Sequence, residues 1–266
     1  MGLTVTLPAK EQAELGSKFV TIACCGDSHT RGGYPQELQK ALQRAESSTT
    51  WKVLDFGACG ATASKTPRAY AKSPVFKQAL AIQADVLTLL LGTNDAHKVF
   101  WSESDFVENM TNLVKQIQEN GAARGRAPSI FLGVPPPLYH KGHFMASLLR
   151  QNVINRELPR IIPQLAEELG VGSFDAFSAL GGPKLQMPNS MSPDGVHLNQ
   201  VGRRLLAEKL AEQVLIHQGL LSPEEAPDSP MSCSSESTME HSPPARRRRM
   251  TCNHSVTRSR AVRQTC

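Results

Sequence analysis

The 266-residue sequence contains no apolar run that approaches the ~20 residues of a membrane-spanning helix. Its first residues also lack the basic segment and long apolar stretch that are typical of a secretory leader. From these two absences we expect a soluble, unsecreted protein of the cytoplasm. Residues 1–6, Met-Gly-Leu-Thr-Val-Thr, do fit the short pattern for N-myristoylation of Gly2, so an acylated terminus stands as an alternative to an unmodified one.

The six cysteines lack the spacing of a disulfide framework. Cys24 and Cys25 are adjacent in an apolar run, and Cys59 lies in a turn-forming stretch rich in small residues. The other three fall in a polar C-terminal segment: Cys233, Cys252 and Cys266. This distribution predicts reduced thiols, as in a cytosolic protein.

Excess charge is also scarce in most of the chain. The formal net charge is +5, and the run Arg246–Arg249 nearly accounts for it. We therefore expect no basic face, and no nucleic-acid partner, for the folded part. The run itself has two interpretations: a solvated charged tail, or a patch for nuclear import or an anionic surface.

Composition divides the chain into three parts. Residues 1–17 are a polar lead-in without sustained periodicity, and residues 18–221 carry the apolar patterns of one folded domain. From residue 222 to residue 266 the sequence is rich in Ser, Pro and Arg and has almost no large apolar side chains. Such a tail cannot bury enough surface to offset its ordering entropy, so we predict that it is disordered.

Within the folded part, short apolar runs alternate with stretches of helical periodicity. The predicted strands are 18–25, 51–56, 86–91, 130–134 and 171–175. The predicted helices are 35–46, a weak one within 66–83, one ending near Asn120-Gly121, a region 145–169 broken at Pro159 and Pro163, and 199–218. The run at 86–91 is apolar on both faces, which is typical of a parallel strand covered by helices on both sides. The pattern predicts a three-layer α/β/α sandwich, flavodoxin-like, with about five parallel strands.

Small polar motifs follow the predicted strands. Gly-Asp-Ser-His-Thr at 26–30 comes after the first strand, and Gly57–Gly60 after the second. Gly-Thr-Asn-Asp at 92–95 follows the third strand, and Asp194–His197 comes after the fifth. Because the carboxyl ends of parallel strands share one edge, we expect these turns to converge there. A serine where a strand hands over to a helix lies beside unpaired backbone N–H groups, which can hold an oxyanion.

These four motifs, in this order, resemble the four blocks of the SGNH/GDSL hydrolases over roughly residues 18–218. The resemblance implies that Ser28 is the nucleophile, His197 its general base, and Asp194 the group that orients the histidine ring. It also implies an oxyanion hole formed by the backbone N–H groups of Ser28 and Gly60 and the side-chain amide of Asn94. No metal or cofactor is implied. Asp55 departs from the Asn that often begins the second block.

Plainer roles stand beside these. Taken alone, Ser28 would be a helix N-cap, and we interpret Asp95 as a residue that shapes its turn. His29 is expected to point away from the nucleophile and to contribute at most to the pocket rim. His140 and His143 have a spacing that suggests a metal site, but no carboxylate or cysteine accompanies them, so no metal is predicted.

The resemblance further implies a carboxylic ester hydrolase that acts through an acyl-enzyme, on short-chain or O-acetyl esters of small molecules. Candidate walls of the substrate pocket are Phe100, Trp101, Tyr139 and Phe144, with Pro136 and Leu138. The alternatives are a lysophospholipase or acyl-thioesterase for longer chains, and a non-catalytic binding module on the same fold. The tail could also make targeting or regulation the main role. The oligomeric state is left open.

Overall fold

The apolar runs form five strands of one parallel sheet. The computed structural model describes residues 18–99, 101–139, 144–184 and 188–222. The strands are β1 (Phe19–Gly26), β2 (Thr50–Gly57), β3 (Val86–Leu90), β4 (Ser129–Val134) and β5 (Gly172–Asp175). All neighbouring strands pair in parallel, in the order β2-β1-β3-β4-β5. The order reverses between β1 and β3, which is where open α/β sheets bind ligands.

Five helices of eight residues or more cover the sheet within the described ranges. They are α1 (Tyr34–Ala45), α2 (Pro74–Ala81), α3 (Glu103–Ala123), α4 (Leu158–Glu168) and α5 (Gln200–His217). Shorter helical segments are Tyr70–Lys72, Phe144–Ser147, Val153–Glu157, Ala176–Ala179, Gly182–Lys184 and Pro188–Ser190. Side-chain oxygens of Ser73, Ser102 and Asn199 accept from the first-turn N–H groups of α2, α3 and α5. None of the described helices is long and apolar enough to cross a membrane.

The two faces of the sheet support two apolar cores. Val20, Ile22 and Cys24 of β1 face one core, which also contains apolar side chains of α1 and α5. Ala23 and Cys25, on the opposite face of the strand, pack into the core with α2, α3 and α4. β3 is buried along its whole length. The expected three-layer α/β/α architecture with five parallel strands is confirmed.

The helices continue through two residues at which the sequence predicted a break or an end, Pro163 and Gly121. Pro163 does not break a helix, because α4 begins at Leu158 and continues through it to Glu168. The loss of one backbone hydrogen bond there is offset by the burial of neighbouring apolar side chains such as Ile162 and Leu165. α3 continues past Gly121. A Cβ on this glycine would lie 2.5 Å from Cα of Ala127, so close packing explains the glycine better than helix termination.

The cysteines of the folded part are thiols. Cys24 and Cys25 are buried in β1 and Cys59 is exposed, and none of these three forms a disulfide. Burial raises the pKa of the Cys24 and Cys25 thiols to about 12, so both stay protonated. The predicted lead-in, residues 1–17, lies outside the described residues, as does the predicted tail apart from Ser222.

The His29 ring is a polar side chain that is buried without hydrogen-bond partners in the described chain, as are the hydroxyl groups of Thr30 and Thr93. His29 is only 3% exposed, and neither of its ring nitrogens has a hydrogen-bond partner within the described chain. Burial, followed by the nearby His197, lowers the pKa of His29 to about 3. The unfolded chain therefore takes up a proton at this residue below pH ~6.5, whereas the folded chain does not until pH ~3. Between these values the unfolded state gains protons, so this residue lowers stability as the pH falls.

We expect His29→Leu to raise the free energy of unfolding by about 1 kcal/mol at neutral pH, because it removes two unsatisfied buried groups at similar volume. The gain should grow by about 2 kcal/mol near pH 5, where the unfolded wild-type histidine is protonated. Urea unfolding of both proteins at the two pH values measures this. The same change at His217, whose Nε2 lies 2.6 Å from Ser129 Oγ, should not stabilise. A pH-independent difference between His29→Leu and wild type would contradict the account.

Candidate active site

Ser28 lies in the turn that follows β1, at the reversal of strand order. The turn precedes α1: the carbonyl of Asp27 accepts from the N–H groups of Thr30 (3.2 Å) and Arg31 (3.1 Å), and α1 begins only at Tyr34. The expectation that the first turn of the following helix presents the serine is therefore wrong. A separate tight turn does so. Within the described chain the backbone N–H of Ser28 has no acceptor. The unpaired backbone donor that we expected beside the serine is therefore present.

A continuous hydrogen-bonded path joins three of the predicted residues. Ser28 Oγ lies 2.9 Å from His197 Nε2, and His197 Nδ1 lies 2.6 Å from Asp194 Oδ2. The serine and the histidine are 169 positions apart in the sequence. With the Nδ1 proton donated to the carboxylate, Nε2 is free to accept the serine proton. This arrangement can move a proton from a hydroxyl to an imidazole.

The loop Ser192–His197 holds the Asp194 carboxylate in place. Asp194 Oδ1 accepts from Ser192 Oγ (2.5 Å) and from the N–H groups of Val196 and His197 (both 3.0 Å). Partial burial would raise the pKa of Asp194, but the hydrogen bonds from Ser192, His197 and the backbone outweigh it and hold the pKa well below its ordinary value. The carboxylate is thus charged opposite the ring that would receive the proton.

Gly60 and Asn94 lie beside Ser28 in the same cavity. Gly60 has φ 75°, a left-handed conformation that favours glycine, and its N–H has no acceptor within the described chain. Asn94 Nδ2 donates to the carbonyl of Ala61 (3.1 Å) and to Asp27 Oδ2 (3.2 Å). Both amide hydrogens of Asn94 are therefore engaged in this structure.

Sequence reasoning missed the role of Asp27. This carboxyl group is fully buried, and besides Asn94 it accepts from the N–H of His29 (2.9 Å). Burial raises its pKa to about 7, against the effect of the His29 hydrogen bond, and the nearby Asp95 raises it further. A carboxylate directly after a buried strand was a visible signal, because such a group needs partners.

Two further carboxylates shape the neighbouring turns. Asp95 accepts from the N–H groups of Ala63 (3.1 Å) and Ser64 (2.9 Å), so it ties the turn after β3 to the chain after β2. Asp55 accepts from the N–H groups of Gly32 (2.6 Å) and Gly57 (2.8 Å). The Asp in the second block, where the family often has Asn, thus supports the turn that carries Ser28.

The cavity beside Ser28 has a volume of about 910 Å³, which is large enough for a small-molecule ligand. Besides Ser28, Gly60, Asn94 and His197, it is lined by Cys59, Thr62, Lys65, Thr66, Pro67, Arg68, His97, Leu148, Leu149 and Val196. Cys59 and Val196 lie within the motifs that were expected at this edge, whereas nothing in the sequence signalled the other additional lining residues.

The aromatic residues that we expected to form the pocket walls do not line this cavity in the described chain. Trp101 Nε1 donates to Glu157 Oε2 (3.0 Å), and the Tyr139 ring is buried, with its hydroxyl 3.4 Å from the carbonyl of Leu180. Phe144 is 70% exposed, and Phe100 lies outside the described residues. The positions of these residues in the sequence did not indicate whether their side chains would face the cavity.

His29 lies behind the candidate site and not on its rim. The His29 ring centroid is 5.8 Å from that of His197, and the His29 side chain does not contact the cavity. His140 and His143 lie outside the described residues. Within the described chain no group of three or more His, Cys, Asp or Glu side chains could hold a metal ion.

Known proteins resemble both the sequence and the fold. An acetylxylan esterase of Xylanibacter ruminicola is 26% identical over 219 residues, which cover 73% of this chain and 43% of that protein. The chain therefore spans less than half the length of this curated relative. The aryl esterase of M. smegmatis matches with a TM-score of 0.57 and 26% identity, over 76% of this chain and 100% of the other.

A carbohydrate acetylesterase family member from Sinorhizobium meliloti has a TM-score of 0.61 at 24% identity, again over 76% and 100% of the two chains. At this identity the likeness concerns the fold alone. The model of the GDSL-like Lipase/Acylhydrolase family matches residues 24–205, a range that contains Ser28, Gly60, Asn94, Asp194 and His197. The chain therefore belongs to the GDSL-like lipase/acylhydrolase family.

Proposed function

We propose that the chain is a serine-dependent carboxylic ester hydrolase that acts on short-chain or O-acetyl esters through an acyl-serine intermediate. The observation that supports this most directly is the path from Ser28 Oγ through His197 to Asp194, which opens into the cavity that Gly60 and Asn94 also line. The acetylxylan esterase relative favours an acetyl group as the acyl part.

In this proposal, the Ser28 hydroxyl attacks the ester carbonyl while its proton moves to His197 Nε2. The carbonyl oxygen becomes an oxyanion, and Asp194 stabilises the imidazolium. When the tetrahedral intermediate collapses, the bond to the alcohol breaks and His197 returns the proton to the leaving alkoxide. Water then attacks the acyl-serine with His197 again as the base, which releases the carboxylic acid and restores Ser28.

The oxyanion would be held by the backbone N–H groups of Ser28 and Gly60, which have no acceptors in the described chain. Asn94 can add a third bond if it exchanges one of its present acceptors, Ala61 or Asp27, for the substrate oxygen. Asp27 is then a positioning residue that holds the amide at the cavity until substrate arrives. The mechanism needs neither a metal ion nor a cofactor.

Unpaired thiols in the folded part are consistent with a reducing compartment, and we propose the cytosol.

Two substitutions test the catalytic roles. With p-nitrophenyl acetate as substrate, Ser28→Ala should lower kcat by about 10⁴-fold or more, because no other group then forms the acyl-enzyme. Asn94→Ala should lower kcat by about 100-fold through the loss of one oxyanion donor. The control is Ser73→Ala, the same change as at Ser28 but at the cap of α2. It should cost about 1 kcal/mol of stability and leave kcat unchanged. Retained activity in Ser28→Ala would contradict a serine-dependent mechanism.

A series of acyl chains tests the proposed substrate class. We expect kcat/KM to be highest for the acetyl ester, and at least about tenfold lower for the octanoyl and palmitoyl esters of p-nitrophenol. An acetylated xylo-oligosaccharide and an acyl-CoA complete the set. A maximum at palmitoyl, or a preference for the thioester, would reject the short-chain proposal in favour of a lipid ester hydrolase or a thioesterase.

A further inference from the structure

The charged side chains that line the cavity beside Ser28 are of one sign. Lys65 and Arg68 both line it, and none of its described lining residues is an aspartate or glutamate. The Asp194 carboxylate lies behind His197, to which it is hydrogen bonded, and is not part of the lining. A ligand in this cavity therefore meets cationic groups without a competing carboxylate.

The two cations differ in what they bind. Lys65 Nζ lies 2.9 Å from Glu108 Oε1, so its charge is already matched by a carboxylate. The Arg68 guanidinium has no ion pair or hydrogen bond with any described residue. The hydrogen bonds of Arg68 are made by its backbone, whose N–H donates to Thr66 Oγ1 (3.1 Å) and whose carbonyl accepts from the N–H of Thr62 (3.1 Å). Arg68 thus retains its full set of guanidinium donors for a ligand.

The position of this guanidinium depends on the absence of a side chain at residue 60. A Cβ at Gly60 would lie 2.3 Å from Arg68 Nη1 and 3.4 Å from its Cδ and Cζ atoms. The Arg68 head group therefore packs against Gly60, beside a proposed donor to the oxyanion. A group bound there would lie next to the ester that Ser28 attacks.

We propose that the enzyme prefers esters that carry a carboxylate close to the scissile bond, and that Arg68 binds this carboxylate. The inference rests on the proposed ester hydrolase function and specifies its substrate class. A planar guanidinium matches a carboxylate in a two-bond geometry that a lysine ammonium does not offer. One unmatched cation balances one negative charge, which favours a carboxylate over the dianion of a phosphate monoester. Leu148, Leu149 and Val196 supply apolar surface for the rest of such a molecule.

A pair of acetyl esters that differ in charge tests the proposal with the full-length protein. The substrates are 4-acetoxybenzoate and its neutral methyl ester, methyl 4-acetoxybenzoate. For each variant, the ratio of kcat/KM for the anionic ester to that for the neutral one is compared with the wild-type ratio. This comparison cancels the difference in leaving-group reactivity, because that difference is the same for all variants.

Arg68→Gln should lower this ratio by about tenfold, mainly through a higher KM for the anionic ester, and leave the neutral ester within about twofold of wild type. The wild-type ratio should also fall with added salt, since the guanidinium is exposed. Lys65→Gln removes the same charge from the same cavity but at a residue that is already paired. It should keep the wild-type ratio.

An unchanged ratio in Arg68→Gln overturns the proposal. An equal loss on both esters also overturns it, because the guanidinium would then act on the oxyanion or support Gly60. In either case the ester hydrolase function stands, because wild type still hydrolyses the neutral ester. If wild type hydrolyses neither ester faster than Ser28→Ala does, the ester hydrolase function and the carboxylate preference are both rejected.

Discussion

Buried carboxylates that accept backbone and amide N–H groups hold the site together. Asp27 follows β1 and binds Asn94 after β3, while Asp95 after β3 binds two N–H groups of the chain after β2. A buried carboxyl group without partners would cost several kcal/mol, so these contacts are required by burial itself. The turns of the three strands at the reversal of strand order are thereby fixed relative to one another. Ser28, Gly60 and Asn94 share a cavity because these ties exist.

The carboxyl groups of the site fall into two electrostatic classes. Burial raises the pKa of Asp27 to about 7 and raises the pKa of Asp95 above its ordinary value. Asp194 is held charged by its hydrogen bonds. Asp194 thus supplies the negative charge opposite a protonated His197. Asp27 and Asp95 instead hold the Asn94 amide and the neighbouring turns in place. The buried His29 ring beside His197 has no hydrogen-bond partner in the described chain, which lowers the free energy of unfolding.

The sequence was sufficient for the architecture and for the placement of Ser28, Gly60, Asn94, Asp194 and His197 at one sheet edge, because both depend on local pattern. Apolar runs predict strands, and the small polar motifs after them must meet at one sheet edge. The direction of individual side chains depends on contacts between distant parts of the chain. The sequence therefore did not predict correctly which side chains face the pocket. Trp101 and Tyr139 were expected to line it and make their hydrogen bonds elsewhere, whereas Arg68 lines it and was not expected there. Pro163 within α4 shows the same limit, since packing overrides a local preference.

The central claim is that Ser28 is the nucleophile, and covalent trapping with diethyl p-nitrophenyl phosphate tests it most directly. An activated serine attacks the phosphorus of this reagent and displaces p-nitrophenolate. Water removes the diethylphosphoryl group from the serine only slowly. The account predicts one diethylphosphoryl group per chain, located by peptide mass spectrometry on the peptide that contains Ser28. Its appearance should parallel the loss of esterase activity, and Ser28→Ala should remain unlabelled. Inactivation with the group on another residue, such as the nearby Cys59 thiol, or full activity with Ser28 modified, would contradict the account.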